Sequence, residues 1–116
     1  AAPAQAVYVA EARLQGVMGW VHVLRVGYLE AEPFAEIGGL VVERDQRGLG
    51  IGRALMAAGE AWARDQGLAT VRLRSNIVRK EAHIFYQRIG YTIEKTQLTF
   101  GKLLIPDEGE SERRAG

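Results

Sequence analysis

The chain has 116 residues, 47% hydrophobic and 25% charged, enough for one domain with its own core and too few for two. Cysteine is absent, which excludes a disulfide framework, a thiolate nucleophile and a Cys-based zinc site, and two histidines, His22 and His83, make a metal site without carboxylates untenable. Fifteen Lys and Arg against fourteen Asp and Glu leave a net charge of +1, no footprint for nucleic acid, so a small-molecule ligand is the better expectation. No apolar run approaches the roughly 18 residues of a membrane span and no basic-then-apolar leader opens the chain, so a cytoplasmic location is the default.

The opening "AAPAQAVYVAEARL" lacks a methionine and passes into a strand pattern at once, which leaves open that the chain is a fragment. Residues 6–12 and 17–26, rich in Val, Tyr, Trp and Leu and separated by Leu14-Gln15-Gly16, predict a hairpin. "GYLEAEP" reads as loop, and residues 34–42 as a third strand in which Gly38-Gly39 marks a bulge or a close approach to the backbone. Ile51, Leu55, Ala58 and Trp62 recur at helical spacing, with Gly67 as the left-handed stop. "TVRLRS" alternates as a half-buried strand, and Ala82, Phe85, Tyr86 and Ile89 predict a second helix closed by Gly90. "YTIEK" and "QLTFGKLL" predict two last strands, and residues 106–116 a disordered tail after a single domain over 1–105. Trp20 and Trp62 read as core and His22 as structural. The order predicts an α/β fold, a mixed sheet covered by helices.

In "ERDQRGLGIGRALM" three glycines, Gly48, Gly50 and Gly52, stand where a helix begins. The first NH groups of a helix have no internal partner and carry about half a positive charge, so glycine there gives an anion access to them. The spacing G-x-x-x-x-G-K-[ST] is not met, and G-x-G-x-x-G would need glycine at Arg53. The alternative is a loop that merely turns a strand into a helix.

What does match is R-x-x-G-x-G, as Arg47, Gly50 and Gly52 after an apolar strand, followed by "AHIFYQRIGY" in the form A-x-x-F-Y-x-x-x-G-[FY]. On these two motifs the chain resembles the GNAT superfamily of acetyl-CoA-dependent N-acyltransferases. The resemblance runs from about Val7 to Leu104 and implies a mostly antiparallel central sheet with a bulged strand and flanking helices, the usual first strand and two helices being absent. It implies that the pyrophosphate of coenzyme A lies on the amides of Arg47, Gly48, Leu49, Gly50, Ile51, Gly52 and Arg53, and that the pantetheine arm runs beside Leu40, Val41 and Val42. A backbone NH near Leu40 would hold the oxyanion. Relatives carry an asparagine three residues before the helix alanine; that position here is Arg79, with Asn76 nearby. Arg53, Arg79 and Arg88 are placed to meet phosphates or, alternatively, simply to be solvated. No metal is implied.

The same resemblance gives Glu36 the amine's proton and Tyr86 the role of protonating the departing thiolate. A carboxylate near pKa 4.3 facing an ammonium near 10.4 must overcome about 8 kcal/mol, so Glu36 needs burial or a relaying water. A phenol near 10 and a thiolate near 8.5 differ by only about 2 kcal/mol. The alternatives are an outward-facing strand carboxylate for Glu36 and a core tyrosine for Tyr86; His83 faces either the cleft or solvent. "RKEAHIFYQRIGYTIEKTQLTFGKLL" is similar to small-amine acetyltransferases of the aminoalkylphosphonate type, which implies a small primary amine as acceptor, then a protein amine. A homodimer, without nucleic-acid or membrane partners, completes this expectation. Against it stand a non-catalytic acyl-CoA-binding sensor, and nucleic-acid binding through Arg72, Arg74, Arg79 and Lys80, which the near-zero net charge disfavours.

Overall fold

The computed structural model describes residues 4–29, 31–75 and 79–105. Strands β1 (Gln5–Ala12), β2 (Gly16–Tyr28) and β3 (Ala31–Val42) form an antiparallel meander. Helix α1 (Ile51–Asp65) crosses back over the sheet to β4 (Val71–Leu73), which joins β3 in parallel, and helix α2 (Lys80–Arg88) follows. The strand order is β1-β2-β3-β4. A parallel neighbour needs a crossover, and α1 is that crossover.

The predicted hairpin forms, turning through Gly16 at φ +71°. The second and third strands run further than the sequence suggests. Gly27, Glu30 and Pro33 read as loop, yet the ladder extends to Tyr28 opposite Ala31, because continuing an existing antiparallel ladder outweighs local turn preference. Conversely, the strand expected over "TVRLRS" is paired only from Val71 to Leu73.

The core lies between α1 and one sheet face. Val21 and Val23 of β2 and Ala35 and Ile37 of β3 meet Leu55, Met56, Trp62 and Ala63 of α1. With buried Gly59 between them, Leu55 and Trp62, and likewise Met56 and Ala63, are linked by steps of three and four residues, the spacing of one helix face. Trp62 is core as expected, but Trp20 is not. It alternates with buried Gly19 and Val21, which puts it on the opposite face of the sheet, where it is more than one-third exposed.

Both α-helices stop in the same way. At Gly67, φ +75°, the Leu68 NH donates to Ala63 O and the Gly67 NH to Arg64 O, at 2.9 Å each. At Gly90, φ +101°, the Tyr91 NH donates to Tyr86 O at 2.9 Å and the Gly90 NH to Gln87 O at 3.1 Å. This paired pattern satisfies the orphan carbonyls of a helix end and needs a left-handed residue, which glycine adopts without a Cβ penalty. The second stop has a further effect: it fixes Tyr91 one turn beyond Tyr86.

The two strands expected over "YTIEK" and "QLTFGKLL" do not form. Residues 91–103 have no regular structure, and residues 92–105 are exposed throughout. Alternating apolar residues specify which side chains would share a face, but not the edge that would supply the ladder hydrogen bonds.

Gly19 allows β3 to lie close over the end of β2 nearest α1. A Cβ there would meet Val41 O at 2.6 Å and Leu55 Cδ1 at 3.2 Å. Because the first of these is backbone, relief requires the strands to part. Gly19→Ala is expected to lower stability by about 2 kcal/mol, seen as a lower urea midpoint with an unchanged slope.

Candidate acyl-donor cleft and catalytic residues

The expected bulge is present on β3. His22 pairs with Gly39 and Val23 with Ile37, so Gly38 is the extra residue. A Cβ on Gly38 would lie 2.6 Å from His22 Nδ1, and one on Gly39 2.9 Å from the Trp20 ring. Both glycines therefore turn to the face away from α1, and Leu40 returns to the core side. His22 Nε2 is 2.7 Å from Gln5 Oε1, which fits its structural reading.

The bulge coincides with a parting of strands. β4 is paired with β3 only through Ala35, Glu36 and Ile37, while β3 continues to Val42. Beyond Ile37, among the described residues, β3 has a strand neighbour on the β2 side alone. Leu40, Val41 and Val42 thus carry a strand edge that no described strand pairs. Two residues past the end of β4, Ser75 Oγ is buried without a hydrogen-bond partner. A buried hydroxyl without a partner is rare in a folded protein and fits a site that a polar ligand completes.

The glycine loop runs from the end of β3 to the start of α1. A short 3-10 turn, Arg44–Gln46, leads to Gly48 at φ +84° and Gly50 at φ +83°, and Gly50 is the N-cap of α1. No side chain caps this helix, and its first turn carries no acidic residue. The NH groups of Ile51, Gly52 and Arg53, having no intrahelical acceptor, are left for an external anion. Arg47 Nε makes a long 3.4 Å contact to Val42 O, folding that side chain back over the strand end.

The three glycines divide their roles. Gly48 and Gly50 have open space where a Cβ would stand and are required by their left-handed backbone. Gly52 instead admits Phe85: a Cβ there would lie 3.3 Å from the Phe85 ring and 3.7 Å from Val42 Cγ2. Phe85 therefore brings α2 against the glycine loop at the start of α1, a proximity that the sequence reading did not foresee.

Tyr86, next to Phe85, is half-buried against the core, its ring 5.2 Å from Phe85 and 6.2 Å from Tyr91 in edge-to-face geometry. Burial pushes its phenol above the usual tyrosine value, and the positive charge of Arg79 works against that shift. Tyr86 is therefore protonated at neutral pH. Arg79 is the N-cap residue of α2, and Arg88 lies in its last turn, about 13 Å further along the axis. Arg53, Arg79 and Arg88 are all exposed, and Asn76 lies outside the described residues.

Glu36 pairs in register with Leu24 and Arg72, and its carboxylate lies 3.6 Å from Arg74 Nε. The side chain is 23% exposed, so it is not sequestered in the way direct abstraction from an ammonium would need. Water reaches it, which fits the relay. Arg74 was not foreseen as its partner, although a parallel register placing Arg72 beside Glu36 puts Arg74 one step further along the same face.

Tyr91 donates its OH to Glu60 Oε2 at 2.7 Å, joining α2 to α1. Burial raises its pKa most, followed by the bond to Glu60 and the charges of Glu60 and Tyr86; Arg64 opposes. A phenol whose pKa is raised in the folded state adds stability below the unfolded value near 10 that is lost as pH climbs through the folded value. Tyr91→Phe is thus expected to cost about 1 kcal/mol at pH 7 and to make the loss of stability above pH ~10 shallower, as urea unfolding at pH 7 and 11 would measure.

Among the described residues no three His, Asp or Glu side chains converge as a metal site requires, and no helix is long and apolar enough to cross a membrane. A model of the GNAT acetyltransferase domain family matches residues 3–93. The chain is 33% identical over 105 residues to an aminoglycoside N(6')-acetyltransferase type 1 of Stenotrophomonas maltophilia, covering 87% of this chain and 69% of that one. It is 42% identical over 69 residues to an aminoalkylphosphonate N-acetyltransferase of Salmonella typhimurium, covering 60% of this chain and 44% of that one. Among solved structures, the aminoglycoside N-acetyltransferase AAC(6')-Iy in complex with CoA superposes with a TM-score of 0.80 at 17% identity, over 88% of this chain and 78% of that one.

Proposed function

The chain belongs to the GNAT acetyltransferase family, and on that premise we propose that it moves an acetyl group from acetyl-CoA to the primary amine of a small molecule by direct attack in a ternary complex. The observation that carries the donor half is the uncapped start of α1 behind two left-handed glycines, beside a strand edge left unpaired after Ile37. Acetyl-CoA brings an activated thioester and a phosphate-bearing handle. Gly48, Leu49, Gly50, Ile51, Gly52 and Arg53 receive the handle on backbone NH groups, with Arg47 alongside. Leu40, Val41 and Val42 offer backbone to the arm, and a Leu40-region NH polarises the carbonyl. Arg79, and less directly Arg88 and Asn76, belong to the same donor site.

In this proposal Glu36 accepts the amine's proton through water, with Arg74 holding its carboxylate in place, and Tyr86 supplies a proton to the departing sulfur. A small amine is favoured because two relatives carry small-molecule acceptors in their names, an aminoglycoside and an aminoalkylphosphonate. A cytoplasmic location and a homodimeric assembly belong to the same proposal, the acyl donor being a cytoplasmic metabolite.

The test is coenzyme A release from acetyl-CoA with a panel of aminoglycosides, aminoalkylphosphonates and lysine peptides. Release that depends on a small amine and exceeds the amine-free rate at least tenfold is expected. Tight acetyl-CoA binding with no turnover on any amine would favour a sensor instead.

A further inference from the structure

Glu36 and Arg74 stand on the two sides of the point at which β3 and β4 part. Glu36 is among the last β3 residues that β4 pairs, and Arg74 is the first residue after β4 ends. Because Ala35 and Ile37 turn into the core, Glu36 lies on the sheet face away from α1, where Arg74 reaches it from the other strand, Nε to Oε1 at 3.6 Å. The pair is lopsided. At that distance it is an ion pair without a hydrogen bond, and the carboxylate side is 23% exposed against 72% for the arginine. Arg74 has no other ion-pair partner among the described residues. Its guanidinium, a planar fork suited to taking two oxygens of one acid group, is therefore open to solvent. Arg72 differs, being engaged twice: its Nε is 2.9 Å from Glu94 Oε1 and its guanidinium lies 4.5 Å over the Phe34 ring.

We infer that the acceptor is a primary amine carrying its own acidic group, a carboxylate or phosphonate within about three carbons of the nitrogen, and that Arg74 selects it by binding that group. The inference rests on the acetyl transfer proposed above and on Glu36 as the group that meets the amine. Its ground is charge balance. An amine arrives as an ammonium, with a pKa near 10.4, and the carboxylate that awaits it is already balanced by Arg74. No second carboxylate stands in register with Glu36, whose strand neighbours are Leu24 and Arg72. A plain amine therefore adds a positive charge to a neutral pair, and a polycationic one adds several. An amine with an acid nearby adds none: its ammonium faces Glu36, its acid takes the fork of Arg74, and four charges alternate in sign. In the transfer the amine nitrogen bonds to the acetyl carbon and the carbon–sulfur bond breaks. The amine's proton leaves through water to Glu36, the sulfur takes one from Tyr86, and the acid group stays on Arg74 unchanged.

Coenzyme A release by the full chain with matched amines tests this: 2-aminoethylphosphonate and β-alanine against ethanolamine, with putrescine as the cation-rich arm. In the wild type, kcat/KM for at least one acidic amine is expected to exceed that for ethanolamine about 20-fold or more, with putrescine poorer still. The phosphonate and carboxylate arms tell which acid is taken. Arg74→Gln is expected to bring the ratio of acidic amine to ethanolamine within about threefold of one, Arg74→Lys to restore part of it, and Arg74→Glu to turn the preference toward putrescine. A wild-type ratio near one overturns the inference and leaves the acetyl transfer standing. So does a ratio that persists in Arg74→Gln, or a rate that falls alike with every amine, to zero included, in all three variants; that result makes Arg74 a positioning residue for Glu36 alone. No release by the wild type with any amine overturns the acetyl transfer and the inference together.

Discussion

Gly50→Glu is expected to lower the affinity for acetyl-CoA at least 100-fold in a calorimetric titration, while the chain still folds. Gly50 has φ +83° and open space where a side chain would begin, so the new Cβ meets no protein atom within 4 Å. Left-handed backbone costs a non-glycine residue roughly 1–2 kcal/mol, a loss the fold can bear. The effect on binding is much larger. The carboxylate stands at the start of α1, where it competes for the NH groups of Ile51, Gly52 and Arg53 and repels an incoming phosphate. At about 5 Å and an effective dielectric of about 20, each unit of like charge costs about 3 kcal/mol. Gly50→Gln carries the same bulk and the same backbone strain without the charge, and is expected to lose at least tenfold less affinity than Gly50→Glu. Wild-type affinity in the glutamate variant would remove the loop from the phosphate site; equal losses in both variants would make the effect steric.

Features written locally in the chain were legible in the sequence. The stops at Gly67 and Gly90, the turn at Gly16 and the bulge at Gly38-Gly39 each depend on a glycine and its immediate neighbours, and each stands where the residues point. What depends on distant partners was not. Gly52 looks like its two companion glycines in sequence, but its role is set by Phe85, which is 33 positions further along and on another helix. The last two strands failed for the same reason in reverse: the pattern in "QLTFGKLL" suits a strand, while the edge that would pair with it is not a property of those residues. Trp20 is a different case, because the alternation of Val21 and Val23 with Trp20 and His22 already carried the answer, and aromatic bulk was weighed above parity. For the candidate site, the sequence pointed to the donor half as a phosphate cradle because helix N-termini impose one geometry on any sequence, and the uncapped start of α1 is consistent with that proposal. The acceptor half has no such rule: Glu36 was singled out by family likeness, and its partner Arg74 only by register.

Tyr86→Phe is the sharper test of chemistry, with kcat expected to fall about 100-fold or more while KM for acetyl-CoA changes less than threefold. The ring stays, and with it the edge-to-face contacts to Phe85 and Tyr91, so the variant removes one hydroxyl and little packing. The direction of the pKa shift limits what that hydroxyl can do. Burial holds the phenol above its usual value near 10, so it is protonated across the neutral range and is unsuited to act as a base for the amine. As an acid toward a thiol of pKa near 8.5 it already faces about 2 kcal/mol, and burial alone would enlarge that cost. Arg79 offsets part of it by stabilising the phenolate, which links the helix N-cap to the same proton transfer. Two readouts follow from this. In the wild type, the loss of kcat on the alkaline side attributable to Tyr86 sets in only above pH ~10, since the group must be protonated to act. In Arg79→Gln the phenol is expected to rise further, and kcat to fall by more than the accompanying loss of acetyl-CoA affinity explains. Unchanged kcat in Tyr86→Phe, with the fold intact, would return Tyr86 to a packing role and leave the departing thiolate to be protonated by water.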